Sequence, residues 1–257
     1  MSALHISLAA EPIAHLGSLP ITNAMLTSLI GTVVICTLVL TAARRVTVHP
    51  RSIAGQAIEA GIEALLDLIM KVTGDRTRAL SYFPLLATLF LFIIVNNWLG
   101  LLPGVGSITV TTDHGVVPLL RGATADLNTT FALAIISVGL THVYALRRLG
   151  VVAHLKKYLS LNPIMLFVGL LELVAEASKM MSFSFRLFGN IFAGEILLVV
   201  ISFLLPLAAP LPFFFLELFV GFIQALVFTS LTLVFLEIVG AEHGEGNQAH
   251  ARAPATT

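Results

Sequence analysis

The sequence predicts an all-α protein that crosses a membrane several times. Of its 257 residues, 57% are hydrophobic and only 11% are charged, whereas about 25% of residues are charged in an average soluble domain. The mean hydropathy is +0.98, and several apolar segments reach the roughly 20 residues that a helix needs to span a bilayer. These observations favour a single membrane domain that extends over the whole chain, 1–257.

Composition also argues against several functional classes. The formal net charge is zero, so nothing indicates a nucleic-acid partner. Cys36 is the only cysteine, which excludes an intramolecular disulfide and a cysteine metal cluster. The sequence contains no nucleotide-binding loop, catalytic triad or metal-ligand spacing. We therefore expect no metal site, no cofactor and no catalysis by the chain alone.

Four helical segments are predicted before the C-terminal region. Residues 21–43 are apolar and long enough to cross the membrane, and two further spans are predicted at 83–102 and 127–146. Between the first two spans, the polar residues of 52–73 recur every three or four positions, opposite an apolar side. This amphipathic helix is expected to lie at the membrane surface or to pack on a partner subunit.

The C-terminal region begins with an unusually long apolar segment, 161–205. As one helix, about 45 residues would extend roughly 65 Å, whereas the hydrocarbon core is about 30 Å thick. The segment therefore either turns back near residues 182–189 or forms one strongly tilted helix. Hydropathy favours two spans, and the absence of a turn signal favours one. The last span is predicted at 211–240, followed by a disordered polar tail at 241–257.

The distribution of basic residues predicts the orientation. Of the fourteen Lys and Arg residues, six lie between the first and second spans and four follow the third, and such residues concentrate on the cytoplasmic side. Arg121 is the one basic residue in the loop on the opposite side. With one long tilted helix, the N-terminus lies outside and the C-terminus is cytoplasmic. With two spans in its place, the C-terminus would lie outside.

Arg186 is the most informative single residue. It lies in an apolar segment, where a charged side chain costs about 2.5–3.5 kcal/mol on translocon scales. Arginine does not release its proton at physiological pH, so it cannot avoid this cost by becoming neutral. Because intramembrane charges usually mark a substrate or ion pathway, we expect Arg186 to serve one.

Several polar residues are arranged around Arg186 on the last two helices. At about 100° per residue, Asn190 shares the face of Arg186, whereas Glu195 points the opposite way. On the last helix, Glu217 and Gln224 are seven residues apart and share a face. The pattern therefore predicts a polar constellation in the middle of the membrane.

Carboxylates on both sides of Arg186 indicate a proton route in two halves. Glu172 lies toward the cytoplasmic end of its helix, whereas Glu195 and Glu217 lie toward the external turn. A buried carboxyl group can bind and release a proton near neutral pH, which an arginine cannot. Arg186 would therefore prevent direct leakage between the halves. Further candidates for lining this route are Glu176, His142, Asp126, Asn128 and Asn97.

Structural roles are the alternative explanation for some of these residues. Glu176 and Lys179 have the spacing of a helix salt bridge, and Arg186 could pair with Glu172. Three other residues also have structural explanations: a helix N-cap at Asp126, a packed or hydrogen-bonded side chain at His142, and a solvated helix end at Glu237.

The C-terminal half resembles subunit a of F-type ATP synthases. The segment that carries the resemblance most specifically is RLFGNIFAGE at 186–195. The resemblance extends to three further segments: QALVF at 224–228, DLNTT at 126–130 and NWLGLLPG at 97–104. The resemblance covers residues 79–240, and the region before them matches only in layout.

The resemblance implies a fold and roles for individual residues. It implies a long, strongly tilted C-terminal helical hairpin that wraps a ring of c subunits, which decides between the two interpretations of 161–205. Arg186 matches the essential arginine that faces the ring carboxylates. The family's nearby polar positions are matched by Asn190, Glu195 and Gln224, and its cytoplasmic polar position is matched by Glu172.

One departure from the family pattern concerns the external side. Many bacterial members have a histidine where this chain has Glu217, seven residues before Gln224. Proton entry from the external side would therefore depend on two carboxylates, Glu195 and Glu217, which could share a proton.

The resemblance also implies a mechanism, partners and a location. Protons would enter near Glu195 and Glu217, neutralise a ring carboxylate that turns through the lipid, and leave near Glu172. Expected partners are the c-subunit ring, b-type peripheral stalk subunits and membrane lipid, with H⁺ rather than Na⁺ as the translocated ion. The absence of a transit peptide or cleaved signal peptide favours a bacterial plasma (inner) membrane.

Two other classes of protein are compatible with the composition. A self-contained secondary transporter or ion channel would need a substrate pocket and often contains structural repeats, and the sequence has no convincing repeat. A purely structural membrane scaffold does not account for Arg186 with carboxylates on both sides. A transporter would move its substrate as an isolated chain, whereas a stator subunit requires its ring.

Overall fold

Helices dominate the structure, a computed structural model that describes residues 10–16, 19–45, 53–102, 105, 108–112, 115–150, 162–205 and 209–251. The helices in this part of the chain are α1 (Asn23–Arg45), α2 (Ile53–Thr73), α3 (Arg76–Gly100), α4 (Leu127–Leu149), α5 (Pro163–Leu204) and α6 (Pro210–Ala251). The strands are β1 (Pro12–Leu16), β2 (Leu19–Thr22), β3 (Thr109–Thr112) and β4 (Gly115–Pro118). All of these helices except α2 are long and apolar enough to cross a membrane, which confirms the predicted all-α polytopic class.

The long apolar segment forms one uninterrupted helix, α5. Asn162 caps it by accepting a hydrogen bond from the backbone N–H of Ile164 at 3.2 Å, and Pro163 occupies the first turn, where its missing N–H is tolerated. The helix has 42 residues, which corresponds to about 63 Å. The structure therefore agrees with one long helix rather than two spans, and α6 packs against it.

Two predicted boundaries are wrong. α3 begins at Arg76 rather than at residue 83, because its first turns are polar and hydropathy does not mark them. α6 continues beyond Gly240 to Ala251, so residues 241–251 are helical and do not form the predicted disordered tail. Alanine and glutamate in this segment are good helix formers, and extending an existing helix needs no new nucleus. Residues 252–257 lie outside the described residues.

A tight junction separates α2 from α3. Gly74 has a φ of +62°, a left-handed conformation that glycine adopts without steric strain, and it follows the last residue of α2. Asp75 then caps α3, since its Oδ1 accepts a hydrogen bond from the backbone N–H of Thr77 at 2.8 Å. This hydrogen bond, together with the Arg78 side chain, holds the pKa of the Asp75 carboxyl below its ordinary value of 3.8.

We expect Asp75→Ala to lower the melting temperature of the detergent-purified protein at pH 7. The substitution leaves the N–H of Thr77 without its acceptor, whereas Asp75→Asn keeps an acceptor and should retain most of the stability. Because the folded-state pKa is lowered, the contribution of the charged cap is fully present above pH 3.8 and is lost as the pH falls through the folded value. Equal melting temperatures for Asp75→Ala and wild type would show that this cap does not stabilise α3.

The helices pack around two clusters of buried apolar side chains. The larger cluster joins α3, α4, α5 and α6 and includes Ile93, Leu187 and Phe228. The smaller cluster lies between α2, α3 and α6 and includes Ile69 and Tyr82. Because α5 and α6 share the larger cluster, the polar side chains on their facing surfaces are held in defined positions.

The apolar face of α2 is only partly covered. Ile69 is completely buried, whereas Ile53 is 87% exposed and Ile58 and Ile62 are also exposed. The helix is therefore amphipathic, as predicted, and the first half of its apolar face is accessible to lipid or to a partner subunit.

Two short β-hairpins were not predicted: one precedes α1, and the other lies between the second and third spans, in a segment that was interpreted only as a loop. β1 pairs with β2 and β3 pairs with β4, both antiparallel. Asn23 connects the two hairpins: its Nδ2 donates to the carbonyl of Pro118 at 3.3 Å, and its Oδ1 accepts from the N–H of Glu11 at 3.2 Å. The strands have only four or five residues, too few for a clear two-residue periodicity.

Candidate functional site

Arg186 lies near the middle of α5, on its outer face. Arg186 and the adjacent Phe185 are exposed, whereas Ser184 and Leu187 are completely buried. The hydroxyl groups of Ser184 and Thr130 lie 3.0 Å apart, a hydrogen bond that fixes the rotation of α5 against α4. Arg186 forms no ion pair or hydrogen bond within the described part of the chain. Its charge is therefore presented at the surface of the chain.

Asn190, one turn after Arg186, connects α5 to α6. Its Nδ2 donates a hydrogen bond to Oε1 of Gln224 at 2.7 Å. Gln224 is only 4% exposed, and its Nε2 has no hydrogen-bond partner among the described residues. The structure thus brings two predicted residues together across the hairpin and leaves one amide donor available for a further polar group.

The predicted external carboxylates, Glu195 and Glu217, lie together in one cleft of about 340 Å³. Glu217 is 6% exposed, and its Oε1 has no hydrogen-bond partner among the described residues. Its carboxyl group packs on Gly194 of α5, where a side chain would collide with it. The absence of a side chain at residue 194 therefore creates the space that Glu217 occupies.

Arg121 belongs to the same cleft, although sequence reasoning did not place it in the site. It is 7% exposed, and its Nε lies 3.8 Å from Oε2 of Glu195. Its guanidinium also lies over the ring of Phe192, 5.8 Å from the centroid, and its backbone N–H donates to the hydroxyl of Thr27 at 3.2 Å. One feature of the sequence could have indicated this role: Arg121 is the one Lys or Arg residue between the second and third predicted spans. Two more residues of the cleft were also missed: Glu11 and Asn23.

Asn97 forms part of the wall of this cleft. Its Nδ2 donates to the carbonyl of Gly221 at 3.0 Å, and its Oδ1 accepts from the hydroxyl of Thr124 at 2.7 Å. These hydrogen bonds occupy its amide and connect α3 to α6. Asn97 therefore holds the cleft in shape, and its amide oxygen and nitrogen are already engaged within the fold.

Asp126 and Asn128 lie outside this cleft and border a separate shallow groove between α1 and α4. Asp126 accepts a hydrogen bond from the backbone N–H of Thr129 at 3.4 Å, which confirms the predicted N-cap of α4. Asn128 is exposed, and its Nδ2 lies 3.5 Å from Oδ1 of Asp126. These residues are part of the start of α4 rather than of the surroundings of Arg186.

A second ionic cluster lies on the N-terminal half of α5. Glu176 accepts a hydrogen bond from Nζ of Lys179 at 2.8 Å, which confirms the predicted salt bridge. Its other oxygen lies 3.5 Å from Nε2 of His142 on α4, and Lys179 lies 4.8 Å from the ring centroid of Phe235. Glu172, one turn before Glu176, is half-buried.

Two structural alternatives weighed for the charged residues are wrong. Arg186 and Glu172 are fourteen residues apart on one continuous helix, about 21 Å along its axis, which is too far for an ion pair. Glu237 is not a solvated helix end, because it accepts a hydrogen bond from Nη1 of Arg78 at 2.8 Å and its side chain is 16% exposed. Arg78 precedes it by 159 residues, so local spacing could not reveal the pair.

The fold and the site define the class of this chain. It is a multi-pass helical membrane protein in which two long, paired helices and the segment before α4 line one cleft with polar and charged side chains. Along these helices lie, in order, the exposed Arg186, the hydrogen bond between Asn190 and Gln224, and the cleft that contains Glu195 and Glu217.

Comparison with known families makes the assignment more specific. Residues 25–237 match the model of the family described as ATP synthase A chain, and the chain belongs to this family. It is 30% identical over 224 residues to the ATP synthase subunit a of Moorella thermoacetica, which covers 87% of this chain and 93% of that protein. It is 36% identical over 182 residues to the ATP synthase subunit a of Syntrophobacter fumaroxidans, which covers 69% of this chain and 67% of that protein.

Proposed function

We propose that this chain is the stator subunit that offers two offset proton half-channels to the rotating c-subunit ring of a proton-translocating F-type ATP synthase. Arg186 separates the half-channels, so that proton flow is coupled to ring rotation and, elsewhere in the complex, to ATP synthesis. The observation that carries the proposal is the position of Arg186, a permanent charge on the outer face of a membrane-length helix with no ion-pair partner in the described residues. Family membership supports the same assignment.

The cleft around Glu195 and Glu217 is the candidate for the external half-channel. A space of about 340 Å³ is large enough for several water molecules, and two carboxylates line it together. Glu217 is the more buried of the two. Water in the cleft would therefore deliver protons to a carboxyl group inside the bundle, from which they pass to the ring.

Arg186 is the candidate for the barrier and for the attraction of the ring. A charged side chain in the membrane is stabilised by an opposite charge, and the outer face of α5 is where a neighbouring subunit would bring one. A ring carboxyl group that reaches Arg186 is attracted as an anion and gives up its proton. Asn190, one turn from Arg186, is exposed on the same helix and is held by its hydrogen bond to Gln224.

Glu172 is the candidate for proton release on the cytoplasmic side. Glu176, the other carboxylate nearby, already contacts both Lys179 and His142. A carboxylate between two such partners is poorly suited to exchanging protons with a passing group. We therefore assign a structural role to the Glu176 cluster, and we assign release to Glu172 because it is half-buried and matches the family's cytoplasmic polar position.

The surrounding assembly follows from the same proposal. The N-terminus lies outside and the C-terminus is cytoplasmic, in a bacterial plasma (inner) membrane, as the basic residues predict. The partners are the c-subunit ring, b-type peripheral stalk subunits and lipid, and the translocated ion is H⁺ rather than Na⁺. The exposed apolar side chains of α2 and of the first turns of α5 provide surface for such partners.

Reconstitution tests the proposal against a self-contained transporter or ion channel. We expect liposomes with the purified chain alone to show no proton flux above that of empty liposomes, and liposomes with the whole membrane sector to conduct protons. The reason is that the two half-channels are connected only through a moving ring carboxylate. Proton or ion flux through the isolated chain, at the rate of the assembled sector, would favour the transporter.

A further inference from the structure

The external cleft contains one cation among three carboxylates. The titratable side chains that line it in the described part of the chain are Glu11 from the segment before β1, Arg121 from the external loop, Glu195 from α5 and Glu217 from α6. The roles of the two helical carboxylates depend on how the single positive charge is shared among these groups.

Arg121 is built into the fold and is associated with Glu195. Its side chain is 8% exposed, its guanidinium lies against the ring of Phe192, and its backbone is held by Thr27. A buried guanidinium keeps its proton and is stable only beside an anion. One such anion is Glu195, with 3.8 Å between Nε of Arg121 and Oε2 of Glu195. The Glu195 side chain as a whole is 38% exposed, whereas its Oε2, the atom nearest Arg121, is buried.

Glu217 has different surroundings. It is 6% exposed, its carboxyl packs on the bare backbone of Gly194, and its Oε1 has no hydrogen-bond partner in the described residues. Glu195 is the other helical carboxylate that lines the same cleft. Two neighbouring carboxylates repel each other when both are ionised, and only Glu195 of the two has a cation beside it among the described residues.

We propose that Arg121 gives the two helical carboxylates of the cleft different roles. It holds Glu195 as a permanent anion, whereas Glu217 binds the proton and passes it to the ring. This inference rests on the proposed function and names a positioning residue for it. Arg121 acts through Glu195, because the negative charge that it fixes there favours the arrival of a proton at the neighbouring Glu217.

The proton step is balanced as follows. The protonated carboxyl group of Glu217 transfers H⁺ to a ring carboxylate, which becomes neutral, while Glu217 becomes a carboxylate. Hydronium in the cleft then returns H⁺ to Glu217 and leaves water. Glu195 and Arg121 keep their charges throughout, so no net charge accumulates at the inlet.

Charge variants of Arg121 test this division. With assembled enzyme in membrane vesicles, we expect Arg121→Gln to lower the initial rate of ATP-driven proton pumping about tenfold, the scale of coupling between contacting charges. Arg121→Lys keeps the charge and should retain most of the rate. Arg121→Gln combined with Glu195→Gln removes both members of the pair and should pump at the rate of Glu195→Gln alone, clearly above the rate of Arg121→Gln. A Lys variant as slow as the Gln variant, or a double variant without recovery, would mean that Arg121 merely packs on Phe192.

Arg78→Gln is the matched control, because it breaks the other partly buried Arg–Glu ion pair, with Glu237, outside the cleft. At equal amounts of assembled enzyme it should pump at the wild-type rate. A loss equal to that of Arg121→Gln would attribute the effect to any broken ion pair and overturn the inference.

A second comparison decides the matter if Arg121→Gln fails to assemble. Glu217→Gln should reduce proton entry to near background, whereas Glu195→Gln should leave a clearly measurable rate, because only Glu217 has to change protonation state. Equal losses in the two variants would overturn the division of roles. This outcome differs from a failure of the proposed function, which would appear as normal pumping without Arg186.

Discussion

Replacing Arg186 with alanine is expected to abolish ATP-driven proton pumping while leaving the enzyme complex assembled. The loss should be at least about a hundredfold, the scale of removing one preorganised charge from a reaction centre. Without the guanidinium, a ring carboxyl group has no reason to release its proton at this point, and the barrier between the half-channels disappears. Assembly should survive, because Arg186 makes no hydrogen bond within the described part of the chain.

The measurement is fluorescence quenching by a pH-sensitive dye in membrane vesicles, normalised to the amount of assembled enzyme. Arg186→Lys is the informative companion, since lysine keeps a positive charge but loses its proton more readily in apolar surroundings. We expect it to pump far less than wild type, and to be more leaky to protons. Normal pumping by the alanine variant would mean that the charge is structural, and the mechanism would have to be rebuilt on the same membrane topology.

Gly194→Ala should also cause a large loss of proton pumping. A Cβ atom at this position collides with all three atoms of the Glu217 carboxyl group, so that group must move out of its place in the cleft. The helix itself gains intrinsic stability from alanine, and the displaced group is the flexible end of a side chain, so the fold should persist. Displacing a proton-transfer group by about 1 Å can reduce a rate on the order of a hundredfold.

The test compares pumping by Gly194→Ala and Gly139→Ala at equal assembly. Gly139 lies on α4, and a Cβ atom there would meet no atom within 4 Å. The control should therefore pump like wild type. A wild-type rate for Gly194→Ala would show that the exact position of the Glu217 carboxyl group does not matter for proton entry.

Helical geometry explains which parts of the site were predictable. Once α5 is a single helix, the sequence alone places Glu195 on the opposite side from Arg186, and the structure has Arg186 on the outer face and Glu195 in the cleft. The Glu176–Lys179 salt bridge follows from the same periodicity. Local spacing is sufficient for these relations because neighbours along a helix have fixed positions.

Relations between distant segments were not predictable. Arg121 meets Glu195 only because the external loop folds back onto α5, and Arg78 meets Glu237 across most of the chain. No periodicity connects such residues, and the pairing depends on how the loops return. The same reason explains why the short hairpins and the polar first turns of α3 were missed.

The uninterrupted course of α5 also has an electrical consequence. Between Glu176 and Glu195 the helix carries no carboxylate, an interval of 19 residues that corresponds to about 28 Å along its axis. In the proposed mechanism, this interval without carboxylates prevents protons from passing directly from one half-channel to the other. A stored gradient is then discharged only as fast as the ring turns.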